Sequence, residues 1–248
     1  MVSGADFYDD ENIFNTYANS RKRDNSPNET LELPIIRELV GDVNGKRVLD
    51  IGCGDGLYGT TLLEAGATQY TGIEPAQRMF KLAQKNLFSH NNADVHHRSA
   101  EQWAYIPDDF DLVISRLALH YVGEIASVFN GIYQTLSVGG KFVFSVEHPV
   151  ITSCNRSLEQ TGGLRQDWIV DDYFITGLRH VKWMGGEVIK YHRTIADYYA
   201  LLQQVGFHIQ ALRESAPERQ NFAENDGELF RRRQRIPLFL LFSAVKPN

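Results

Sequence analysis

Residues 46–56 read KRVLDIGCGDG, an apolar, β-prone run that ends in an aspartate and three alternating glycines. A helix-like stretch, 57–65, follows and stops at Gly66. A strand that passes into a helix over glycines lets main chain come close to a ligand at the carboxyl end of a sheet, the entry of a wound α/β domain. The chain keeps this rhythm. Residues 69–74 (QYTGIE), 93–98, 110–116 and 141–147 read as further strands. Residues 76–88, with Met79, Leu82, Ala83 and Leu87 on one stripe, read as a helix, as do 123–136, closed by Gly139 and Gly140. The strand runs VLDI, DLVI and FVFSV are apolar throughout, as expected of parallel strands covered on both faces.

Beyond Glu147 the rhythm breaks, and residues 150–190 are polar and aromatic without a clean period. Thr194 then opens a helix, with Asp197 three positions on as a capping box, that runs to Gly206. Residues 207–214 and 238–245 read as a closing antiparallel pair, and the long connection between them is either disordered or has a role.

The glycine turn does not suit a dinucleotide. G-x-G-x-x-G needs glycine at 57, where Leu57 stands, and Asp50 ahead of the glycines would repel a pyrophosphate but suit a cationic ligand. Glu74 lies twenty residues after Gly54 at the end of the second strand, where an acid can accept both hydroxyls of a ribose. The pair points to an adenosine that carries no diphosphate.

VLDIGCGDG and YTGIEPAQRM, with RSAEQW (98–103), FDLVISRLALHYV (110–122) and LSVGGKFVFSVEHP (136–149), occur in the order and spacing of five motifs. In them the chain resembles the class I S-adenosylmethionine-dependent methyltransferases, over about residues 45–150 and less specifically to the C-terminus. The resemblance implies an α/β, Rossmann-like three-layer sandwich with a seven-stranded, mostly parallel sheet whose last strand is antiparallel. It implies S-adenosyl-L-methionine as cofactor and S-adenosyl-L-homocysteine as product. Asp50, Gly52, Cys53 and Gly54 would form the first motif's contacts, and Glu74, Pro75 and Met79 those after the second strand. Ser99, Ala100 and Glu101 would border the adenine, although Ser99 with Gln102 also reads as a helix-opening box. Arg116 and Leu117 would offer backbone contacts beside the sulfonium, and Tyr17 and Arg21 of the N-terminal arm would reach the methionine carboxylate. One domain is expected: a helical lid (1–44), a cofactor core (45–149), a substrate-pocket insertion (150–193) and a helix and strand pair completing the sheet (194–248).

Methyl transfer is an in-line displacement, so the protein must align the reactants and exclude water, and a base is needed only for a protonated acceptor. His120, His148 and His192 are candidate bases, each with a structural role as the alternative. Tyr8, Tyr121, Trp168, Tyr173, Tyr191 and Arg193 are candidate acceptor contacts, since aromatic rings give a planar acceptor stacking surface. The expected partner is a small molecule bearing an O or N nucleophile. A net charge of −6 speaks against nucleic acid, so an RNA methyltransferase is the lesser reading, beside a cofactor-binding protein without catalysis. No metal site is expected: His96 and His97 are adjacent in a strand and point apart, and Cys53 and Cys154 are far apart. The run Arg231, Arg232, Arg233, Gln234, Arg235 reads as a solvated loop. With no signal-like start and no membrane-length apolar run, a cytoplasmic monomer or homodimer is expected.

Overall fold

Five strands, β1 (Arg47–Ile51), β2 (Gln69–Ile73), β3 (Ala93–His96), β4 (Phe110–Arg116) and β5 (Leu136–Glu147), run parallel in the computed structural model. The structure describes residues 2–21, 25–156 and 167–248, without the side chains of Ala18, Asn19 and Arg21. Two later strands extend the sheet, β8 (His208–Glu214) and β9 (Phe239–Val245), giving the order β3-β2-β1-β4-β5-β9-β8 with β9 antiparallel to both neighbours. The expected seven-stranded sheet is therefore present, with its last strand in chain order the antiparallel one. The strand order reverses between β1 and β4, and the crevice beyond their carboxyl ends is where such sheets bind ligands.

Alternating strand residues feed two cores. Leu49, Val113, Phe142 and Phe144 pack with α6 (Ile125–Thr135) and α8 (Ile195–Val205). Val48, Leu112, Ile114 and Val143 pack on the other face, with α3 (Leu33–Val40), α4 (Leu57–Glu64) and α5 (Gln77–Leu87). Burial from both sides is why these strands carry no polar alternation. The expected capping box is present on α8: Asp197 N donates to Thr194 Oγ1 at 3.1 Å, and Thr194 N donates to Asp197 Oδ2 at 2.7 Å.

Three expectations are corrected. The glycine pair Gly139-Gly140 does not close a helix: α6 ends at Thr135, and β5 begins at Leu136 with a shift of register against β4 between Phe110 and Leu112. Three extra residues of β5 bulge there before Lys141 pairs with Leu112. Within the aperiodic stretch lies a hairpin, β6 (Gly177–Trp183) and β7 (Gly186–His192), turning through Met184 and Gly185 at φ 49° and 85°. Two positive φ values mark the I′ turn that matches strand twist, but methionine in place of Asn or Asp hides its signal. The long connection between β8 and β9 is helical in part, and Arg231, Arg232 and Arg233 of its basic run form the last turn of α9 (Gly227–Arg233), with Arg235 beyond it.

The N-terminal arm forms α1 (Gly4–Asp9) and α2 (Glu11–Arg21). Asp9 caps α5 from outside, its carboxylate accepting from Gln77 N at 3.1 Å and Arg78 N at 2.8 Å, and Phe7 stacks on Trp183 of β6 at 5.6 Å. The arm thus bridges the second motif and the hairpin. Among the described residues no helix is long and apolar enough to cross a membrane.

Candidate active site

The turn after β1 is held from beneath: Gly52 N and Cys53 N both donate to the Ile73 carbonyl, at 2.8 and 3.1 Å. Gly52 and Gly54 sit at φ 72° and 59°, which L-residues avoid. A side chain at 52 would strike Ala118, whereas nothing lies within 4 Å of where one at 54 would project, so that face of the turn is open. Cys53 is buried against Gly72, and burial keeps its thiol protonated.

Asp50 is buried, and Tyr70 Oη donates to its Oδ2 at 2.8 Å while Oδ1 has no partner. Burial lifts its pKa to about 6 against the Tyr70 hydrogen bond and the nearby Arg116 charge. Glu74 receives Gly54 N on Oε2 at 2.9 Å and Ala76 N on Oε1 at 2.8 Å, and burial lifts it to about 7. Two buried carboxylates, one with an oxygen that accepts no hydrogen bond, make a site that gains by receiving a cation or hydroxyl donors. Pro75 and the buried Met79 and Ala100 lie beyond Glu74, and Gln102 Oε1 accepts from Ser99 N at 3.4 Å. Glu101 is exposed on that short helical turn.

Sequence reasoning did not find the next component. A π-helical turn, Asn28–Glu32, delivers Glu32, wholly buried, to the end of β4. Arg116 donates to it through Nε at 3.1 and 3.2 Å and Nη2 at 2.5 Å, and Ser145 Oγ at 2.7 Å. The Arg116 guanidinium also lies 4.6 Å from the ring centre of Tyr58 on α4. Leu117, at φ 53°, donates its N–H to Ser145 O and Oγ at 3.0 and 3.1 Å. That strained residue is held where the glycine turn meets Ala118.

A second group lies along the same rim. Lys190, buried on β7, has Nζ 2.6 Å from Glu147 Oε1 and 4.7 and 5.6 Å from the ring centres of Trp183 and Tyr121. Tyr8 and Tyr121 hydroxyls meet at 3.3 Å, and Tyr17 packs edge-on to Tyr8 and Trp183 at 5.0 and 6.2 Å. Tyr17 thus joins the aromatic group, and the side chain of Arg21 lies outside the described residues. The alternating burial of Val188, Lys190 and His192 marks Lys190 as inward-facing, a signal readable only once β7 is recognised as a strand.

The three histidines differ. His148 caps α7 (Pro149–Thr152), accepting from Val150 N at 3.2 Å on Nδ1, with Nε2 2.9 Å from Glu214 Oε1. His192 bonds Thr152 Oγ1 at 2.8 Å and the Tyr173 carbonyl at 2.9 Å. Both rings are therefore fully committed. His120 Nδ1 accepts from Glu147 N at 3.4 Å, which places the proton of the neutral ring on Nε2, and burial lowers its pKa to about 3. It is a donor at neutral pH, not a base. Tyr191 and Arg193 line a concavity of about 410 Å³ with Gly123 and Gln204, and Arg193 Nη2 donates to the Val122 and Gly123 carbonyls at 2.8 Å. Tyr173 packs on His192 at 5.8 Å, and Trp168 precedes Ile169, whose carbonyl meets Cys154.

A methyltransferase-domain family model matches residues 48–140. A Listeria monocytogenes structure assigned as an S-adenosylmethionine-dependent methyltransferase is 33% identical, with a TM-score of 0.80 over 88% of this chain and 97% of that one. An S-adenosylmethionine-dependent methyltransferase from Mesorhizobium loti is 32% identical, with a TM-score of 0.78 over 90% and 99%. A ubiquinone biosynthesis O-methyltransferase from Aromatoleum aromaticum is 39% identical over 103 residues, 41% of this chain, and the chain spans less than half (44%) of that relative's length. With this fold, this glycine turn and relatives similar over nearly their whole length, the chain belongs to the S-adenosylmethionine-dependent methyltransferases.

Proposed function

We propose that the protein methylates an O or N nucleophile of a small molecule seated between the N-terminal helices and the β6–β7 hairpin. The observation that carries this reading is the group of Tyr8, Tyr17, Tyr121 and Trp183 around Lys190, on the same rim as the glycine turn. The ubiquinone O-methyltransferase similarity supports oxygen as the acceptor.

The residues of the crevice fit S-adenosylmethionine. Asp50 Oδ1 is an unmet buried acceptor for the ammonium, Gly54 opens a face for close approach, and Glu74 keeps lone pairs for the ribose hydroxyls. Met79 and Ala100 give the adenine an apolar flank. The cofactor supplies a methyl group already activated on a sulfonium. What remains for the chain is alignment and exclusion of water, worth several kcal/mol (roughly 7–11 at the limit). The helices α1 and α2 act as the lid and the β6–β7 hairpin as the acceptor wall, whereas α3, expected to be part of the lid, covers one face of the sheet. His120 contributes an N–H donor at the rim.

Donor consumption across panels of small phenols, carboxylates, amines and a tRNA tests the reading. Turnover of a small acceptor that drops at least tenfold in Trp183→Ala, with S-adenosylmethionine affinity unchanged, is the expected result. Turnover of the tRNA alone would sink it.

A further inference from the structure

The rim around Lys190 has an unusual charge inventory. Lys190, 1% exposed, is balanced by Glu147, while Arg193 lines the concavity that also holds Asp197 and donates to the Val122 and Gly123 carbonyls. The remaining groups around Lys190, His120, Tyr8, Tyr121 and Trp183, carry no positive or negative charge when His120 is neutral. Lys190 and Glu147 thus form one largely buried ion pair in an otherwise uncharged aromatic rim, beside a crevice whose cofactor brings a sulfonium. The same rim lacks a competent base. His148 and His192 have both nitrogens bonded, and His120 Nδ1 already accepts from main chain. Glu147 is tied to Lys190 and held charged below the usual carboxylate range, while burial keeps Tyr8 and Tyr121 protonated and Glu147 keeps the Lys190 ammonium so.

Resting on the methyltransferase reading above, we propose that the acceptor is a small planar oxyanion, a carboxylate or an enol or phenol already ionised on arrival, that pairs with Lys190 and is methylated without a protein base. An oxyanion beside Lys190 and Trp183 meets a desolvated ammonium with N–H groups to spare and a ring to stack on. A lone pair of that oxygen forms the O–C bond as the C–S bond breaks and its electron pair returns to sulfur. The two charges cancel and no proton moves, which is why a rim without a base suffices. Amines and alcohols that arrive protonated find nothing there to take the proton.

The coloured anion of 4-nitrophenol reports this directly in the native protein saturated with S-adenosylhomocysteine. The expected result is a bound probe whose apparent pKa is lowered by about one unit or more, displaced by benzoate and not by its neutral analogue benzamide. In Lys190→Gln/Glu147→Gln, which keeps hydrogen bonding and leaves no stranded charge, the shift disappears while S-adenosylhomocysteine affinity stays. A bound pKa unmoved or raised, equal displacement by benzamide, or no binding of the probe at millimolar concentration overturns the inference. Failure to bind S-adenosylhomocysteine would instead overturn the methyltransferase reading beneath it.

Discussion

Tyr70 Oη donates to Asp50 Oδ2 at 2.8 Å, and so aims a buried carboxylate whose other oxygen stays unbonded. The pairing follows from register: Asp50 lies opposite Gly72, which has no side chain, and Tyr70 two positions back reaches across. Tyr70→Phe removes a hydrogen bond to a charged group, about 1.5–3 kcal/mol. Part of that loss falls on the ionised carboxylate, so S-adenosylmethionine affinity should weaken about tenfold or more at neutral pH. Calorimetry checks it, and unchanged affinity would separate Asp50 from the cofactor.

The two acids of the crevice titrate unusually high, Asp50 at about 6 and Glu74 at about 7, both through burial. Acids raised above their unfolded values of 3.8 and 4.5 stabilise the empty protein at low pH, and that contribution fades as pH rises through the folded values. A cationic, hydroxyl-bearing cofactor favours the charged carboxylates. Binding should therefore strengthen between about pH 5 and 7.5 and release protons. Titrations in two buffers of different ionisation enthalpy measure the release. Proton uptake, or affinity flat across that range, would contradict the assignment.

Adjacent glycines of the turn should fail differently. Gly54→Ala pays the left-handed strain of roughly 1–2 kcal/mol and projects into open space on the ligand side. It should fold and lose cofactor affinity at least tenfold. Gly52→Ala sets a methyl 2.3 Å from the Ala118 Cβ, so it should lose more thermal stability than Gly54→Ala. Paired melting curves and binding isotherms read both, and the reverse order of stability would mean the turn is held otherwise.

What was legible in the chain followed from local chemistry. Asp50, the alternating glycines and Glu74 declare themselves because strand, turn and acid are close in sequence, and Thr194 with Asp197 carries its whole cap within four residues. The hairpin stayed hidden because Met184 occupies a turn position where Asn or Asp would have signalled, and with it hidden the inward face of Lys190 could not be read. Arg116 is expected to offer main chain to the cofactor, but the partner of its side chain, Glu32, stands 84 positions earlier on a π-helical turn, and no periodicity announces such a pairing. His148 and His192 looked like bases at the rim until tertiary structure supplied partners for both nitrogens.

The Glu32 network divides into parts that mutation can separate. Glu32→Gln removes the counter-charge of a largely buried guanidinium, and breaking such a pair costs about 3–5 kcal/mol. Denaturant unfolding should show that loss outright. Ser145→Ala leaves the ion pair and deletes the hydroxyl that links Glu32 Oε1 to Leu117 N, a loss of about 1 kcal/mol. Leu117 N still reaches the Ser145 carbonyl, so the fold persists, but its left-handed turn loses half its restraint. Affinity for S-adenosylmethionine should then fall several-fold while the unfolding midpoint moves little. If Ser145→Ala instead loses stability and keeps its affinity, the network serves the fold alone, and the strain at Leu117 is unrelated to cofactor binding.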